Sequence, residues 1–137
     1  AMYESEAYLE GDPECLNEAM RLSEGPTFHV STAREQYFDL VSFDAVTARN
    51  MVEISKPAQA IKQGITVQDD LHRIDCPTLI IHGAEDFIVP DAPTLVQRLI
   101  TNAELVIIPD SGHYPFIEQP EVFTDALRSF INRTRNR

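Results

Sequence analysis

Apolar and polar positions change their spacing midway along the chain. Up to about Gly64 they recur at three- and four-residue intervals, the period of short amphipathic helices; beyond it, continuous apolar runs alternate with helical patterns. Asp12-Pro13 predicts a helix entry, because Asp caps and proline is tolerated in the first turn. Leu16, Ala19 and Met20 then share one face, and Gly25-Pro26 ends the run. Thr32-Ala33-Arg34-Glu35 reads as a capping box leading into Tyr37, Phe38, Leu40 and Val41. Two more helices are expected, one from Phe43 to about Ile54 and another from Pro57 to Ile61.

In the second half, Thr78-Leu79-Ile80-Ile81-His82 predicts a parallel strand covered on both faces. A turn at Gly83 and Asp86 follows, then a helix capped by Asp91 that carries Leu95, Val96, Leu99 and Ile100. Leu105 to Ile108 predicts a second buried strand, closed by Pro109-Asp110-Ser111-Gly112. The last helix starts at Pro120 and sets Phe123, Ala126, Leu127, Phe130 and Ile131 on one stripe, with Glu121 and Arg133 matched to its dipole. Strand, helix, strand, helix in that order specifies an α/β fold with a right-handed crossover. The expected division is a helical segment over residues 1–64 and a parallel-sheet part over 65–137.

Composition narrows the possible partners. Eleven Lys and Arg against 22 Asp and Glu give a net charge of −11, with no basic cluster, which argues against nucleic acid. No apolar run approaches the roughly 18 residues of a membrane span, and no signal-type segment opens the chain. Cys15 and Cys76 form neither a disulfide framework nor a CxxC pair, so a reduced, cytoplasmic protein is expected. Cys76 reads as a small buried residue. The four histidines show no metal-ligand spacing, and no metal or cofactor is expected.

In a right-handed crossover both strands open their carboxyl ends on one sheet edge, where ligands of open α/β sheets bind. Asp86 follows the first strand and His113 the second. Neighbouring strands lie about 4.8 Å apart, so such residues can touch and form the orienting half of a Ser-His-Asp relay. Turn chemistry alone also explains an Asp at position 86, and Glu85 is its neighbouring rival. Ser111, two residues before His113, lacks the in-line placement a nucleophile needs. His82 reads as a packing residue, and His29 and His72 as surface positions.

The stretch Leu71-His72-Arg73-Ile74-Asp75-Cys76-Pro77-Thr78-Leu79-Ile80-Ile81-His82-Gly83-Ala84-Glu85-Asp86-Phe87-Ile88-Val89-Pro90 resembles the acid strand of the α/β-hydrolase superfamily. Ser111-Gly112-His113-Tyr114-Pro115-Phe116-Ile117-Glu118-Gln119-Pro120-Glu121 resembles its histidine loop. Together the two cover about residues 67–131. The resemblance implies that Asp86 is the triad acid, that His113 is the base, and that residues 1–64 belong to a helical cap. A fainter likeness to proline-iminopeptidase-type members implies that a carboxylate among Glu4, Glu6, Glu10, Asp12, Glu14 and Glu18 binds a substrate amine; a solvated acidic face is the simpler reading. Phe28, Tyr37, Phe38, Phe43 and Met51 fit either an apolar pocket or helix packing.

The family's nucleophile stands in a G-x-S-x-G elbow ahead of the acid. None of the five glycines here, Gly11, Gly25, Gly64, Gly83 and Gly112, brackets a nucleophile at that spacing. The chain therefore reads as the C-terminal half of a serine hydrolase acting on a small-molecule ester or amide. Two strands are too few for a stable sheet, so an N-terminal hydrolase half or self-association is expected. The alternatives are an inactive fragment or interaction module, or a dehalogenase- or epoxide-hydrolase-type member with an Asp nucleophile.

Overall fold

A computed structural model describes residues 2–61, 68–88 and 90–135, and the side chains of all these except 56–61. The change of pattern near Gly64, and Val89 of the acid motif, lie outside the described residues. The chain divides into two compact units, residues 1–26 with 35–66 and residues 27–34 with 67–137.

The first unit is helical throughout its regular part. Helix α1 (Glu6–Glu10), absent from the predicted pattern, is short enough to depend on its ends. The Ser5 side chain accepts the Tyr8 N–H, and Gly11 closes the helix in the left-handed region at φ 77°. A Cβ at Gly11 would also stand 2.7 Å from Arg49 Cα, so the position needs glycine twice over. Helix α2 (Pro13–Glu24) begins as expected, with Asp12 Oδ1 accepting the Cys15 N–H at 2.8 Å. Its buried Leu16 joins Ala48 and Val52 in the core, with Tyr8 and Phe43 packed alongside.

Helix α3 (Ser31–Leu40) starts one residue before the expected cap, which leaves Thr32 inside its first turn. The cause is a distant carboxylate, described below, that takes the amides entering this helix. Helix α4 (Ala45–Ile61) is one element where two were expected. It begins after Asp44, whose Oδ1 accepts the Thr47 N–H at 2.7 Å, and it passes through Pro57 without ending. A proline removes only one backbone donor, and the helix already running from Ala45 carries on for the single turn described after it.

The second unit contains strands β1 (Thr78–Gly83) and β2 (Ala103–Ile108), paired in parallel with Thr78 opposite Ala103 and Gly83 opposite Ile108. Strand β2 starts two residues earlier than the apolar run indicates. Helices α5 (Ala92–Leu99) and α7 (Pro120–Arg135) pack on both strands, and a short helix α6 (Pro115–Glu118) precedes α7. The α/β class is as expected, but the strands are not enclosed. Most of their residues are half-buried and Ile107 is 47% exposed, because the sheet has two strands among the described residues to share the cover.

Two local expectations need correction. Asp91 occupies the cap of α5 but makes no capping bond: its own backbone is already helical (φ −93°, ψ −15°) where a capping residue stands extended, and Pro93 removes one of the two N–H groups it could bind. Cys76 is exposed, standing in the polar approach to β1 rather than under an element. Among the described residues, no helix is long and apolar enough to cross a membrane.

Candidate active site

The parallel register brings the carboxyl ends of β1 and β2 level, and the loops beyond them are knitted together. The Ala84 N–H donates to Ile108 O at 2.8 Å, and the Glu85 N–H donates to Ser111 O at 3.0 Å. This closeness depends on Gly83, where a Cβ would fall 2.0 Å from the carbonyl oxygen of Gly112 and 2.3 Å from that of Ser111. The His113 N–H in turn donates to Thr27 O at 2.9 Å, which fixes the backbone of the second loop.

On this frame the two residues singled out from the sequence meet. His113 Nδ1 lies 2.8 Å from Asp86 Oδ2. The aspartate side chain is 3% exposed and the histidine side chain 39%, so a shielded carboxylate holds a ring that still reaches solvent. With Nδ1 engaged, proton transfer falls to Nε2. The Ile88 N–H donates to Asp86 Oδ1 at 2.9 Å, so both carboxylate oxygens are bound.

Burial pushes the Asp86 carboxyl toward the neutral form. The hydrogen bonds from His113 and Ile88, with the nearness of His113 and His82, outweigh it and hold the group below the ordinary aspartate range. A lowered folded-state value means that the stability contributed by the ionised Asp86 carboxylate is complete above the unfolded aspartate value and is lost as pH falls through the folded one. Carbon-13 NMR of Asp86 should therefore give a midpoint below that of an aspartate in an unstructured peptide, with the His113 contact persisting down to it. A midpoint above that would contradict the balance described.

The other candidates separate from this pair. Ser111 is fully buried and its Oγ donates to Glu118 Oε2 at 3.4 Å, an enclosure unsuited to a nucleophile. Glu85 is exposed and accepts the Ser111 N–H at 3.4 Å. His29 and His72 are exposed, as expected. His82 is more than a packing residue, since its Nδ1 stands 3.7 Å from Asp86 Oδ2. A histidine four residues ahead of the acid at a strand end was the available signal for it.

Phe28 stacks on Tyr114 with ring centroids 4.5 Å apart, and Tyr114 meets His113 edge-on at 5.3 Å, so an aromatic wall stands beside the imidazole. Phe38 is buried and Phe43 packs on the helical core, whereas Met51 is exposed. Glu4, Glu6, Glu10, Asp12, Glu14 and Glu18 all face solvent. His29, Glu85 and Asp110 offer ligand atoms within 4.8 Å of one another, the one such grouping among the described residues. All three are exposed, and one carboxylate is shared with Ser111, as noted.

A parallel α/β sheet with an acid–histidine pair at its carboxyl edge defines the class of the molecule. The Alpha/beta hydrolase family matches residues 6–126, and the chain belongs to that family. A 2-hydroxy-6-oxo-6-(2'-aminophenyl)hexa-2,4-dienoic acid hydrolase from Metapseudomonas resinovorans is 38% identical over 64 residues, 46% of this chain and 22% of that protein. A pimeloyl-[acyl-carrier protein] methyl ester esterase from Nitrosomonas europaea is 38% identical over 68 residues, 49% of this chain and 27% of that protein. Among solved structures, a serine hydrolase involved in carbazole degradation superposes with a TM-score of 0.63 at 25% identity, over 85% of this chain and 47% of that one. The chain thus spans less than a third of these curated relatives and about half of the solved enzyme.

Proposed function

We propose that these residues form the acid–base part of a serine hydrolase that cleaves a small-molecule ester or amide through an acyl-enzyme. The observation that carries this reading is the 2.8 Å contact between His113 Nδ1 and the buried Asp86 carboxylate. His113 takes the proton of an attacking hydroxyl at Nε2 and returns it to the leaving group, while Asp86 holds the tautomer and stabilises the imidazolium. The hydroxyl and the oxyanion donors come from a segment or polypeptide beyond these 137 residues. The helical cap is the part of residues 1–64 that lies in the first unit, residues 27–34 belonging to the second.

Ester cleavage is supported by the name of the curated esterase relative, and a separate nucleophile by the share of each relative that this chain spans. Exposed Ile107 on β2 and the mostly half-buried strand residues support a missing neighbour against the sheet. Kinetics with p-nitrophenyl esters test the reading. The full-length protein, meaning this chain together with the segment or polypeptide that brings the nucleophile, should give a burst of nitrophenol followed by steady turnover, and the 137-residue chain by itself none. Turnover by the short chain, or none by the full-length protein, would refute it.

A further inference from the structure

Glu118 has no role in the acid–histidine relay, yet it is the most heavily engaged carboxylate of the second unit. It is 7% exposed. Its Oε1 accepts the N–H groups of His29 at 2.6 Å and Val30 at 2.7 Å. Its Oε2 accepts the Gly112 N–H at 2.7 Å and, more weakly, the Ser111 hydroxyl at 3.4 Å. Hydrogen bonds to a carboxylate are the strong kind, and three here come from backbone. Two belong to the segment that enters α3, and one to the residue immediately before His113. The Thr27 carbonyl, two residues before His29, receives the His113 N–H itself.

We propose that Glu118 is a positioning residue for His113: one carboxylate clasps the histidine loop and the 27–30 segment together, and so sets the imidazole at bonding distance from Asp86. This rests on the reading of Asp86 and His113 as acid and base. Only a full-length carboxylate suits the place. Glutamine offers one acceptor oxygen and turns an N–H₂ toward amides that need acceptors. Aspartate keeps the charge but is one methylene too short to span both segments. Glu118→Gln therefore keeps the reach but removes the charge and one acceptor, and Glu118→Asp keeps the charge but removes the reach.

The test uses the full-length protein labelled with nitrogen-15. The wild type should show a low-field proton resonance for the His113 Nδ1–H bonded to Asp86, and slow exchange of the Gly112, His29 and Val30 amides. Both Glu118 variants should lose the resonance and speed those amides by about tenfold or more. The loosened loop should lower kcat toward esters by about 10², with KM within about twofold. Asp86→Asn, in contrast, should abolish the resonance while the three amides stay protected.

Retention of the resonance in Glu118→Asp would reduce the effect to charge, and its retention in Glu118→Gln would remove it altogether; either overturns the proposal. A wild type without the resonance would instead strike at the acid–base reading, leaving the amide pattern to judge Glu118. Should both variants fail to fold, wild-type exchange decides: the three amides are expected to open together, and free exchange at Gly112 with His29 and Val30 protected would overturn the proposal.

Discussion

Replacing Asp86 by Asn in the full-length protein is expected to lower kcat by about 10⁴, the cost seen when a triad carboxylate becomes an amide. The size follows from the geometry. His113 Nδ1 has Asp86 Oδ2 as its carboxylate partner at 2.8 Å, and Asp86 is buried where water cannot replace it. An amide in that place no longer stabilises the imidazolium, and it permits the tautomer that leaves Nε2 protonated and unable to accept the hydroxyl proton. KM should change little, because Asp86 is too enclosed to touch substrate. Steady-state kinetics on a p-nitrophenyl ester measure this, and a loss of less than tenfold would remove Asp86 from the relay.

Gly83→Ala is the second large effect, and it acts on folding. The added methyl would sit 2.0 Å from Gly112 O, 2.3 Å from Ser111 O and 2.7 Å from Ser111 C. All three are backbone atoms of the loop that carries His113, so no side-chain rotation relieves the overlap. The loops must part, breaking the bonds from Ala84 to Ile108 and from Glu85 to Ser111. Overpacking of this kind costs about 3 kcal/mol or more. A fall in Tm of roughly 10 °C or more should follow in thermal denaturation. A Tm within about 2 °C of wild type would show that the loops are not held as described.

The parts legible in the sequence are those governed by local pattern. Runs of branched apolar residues mark β1 and β2, and the spacing of Phe123, Ala126, Leu127, Phe130 and Ile131 marks α7. Asp86 and His113 were readable because each stands at a fixed distance beyond a strand, so the topology alone brings them to one edge. What escaped depends on partners far along the chain. The entry to α3 is set by Glu118, 88 residues beyond Val30, and not by the capping box that Thr32 and Glu35 spell out. Glu118 itself stands inside the histidine-loop motif, and nothing in the local pattern from Tyr114 to Pro120 marks it as buried. Its burial follows only once the two loops are closed over it. Pro57 misled for the opposite reason, as a strong local signal overridden by the helix already running from Ala45.

Active-site labelling of the full-length protein with a fluorophosphonate, followed by peptide mapping, tests the central claim most directly. One adduct is expected, on a serine outside these 137 residues, forming at least about 10³-fold more slowly in His113→Ala. An adduct on a residue within the 137, or a labelling rate untouched by His113→Ala, would contradict it.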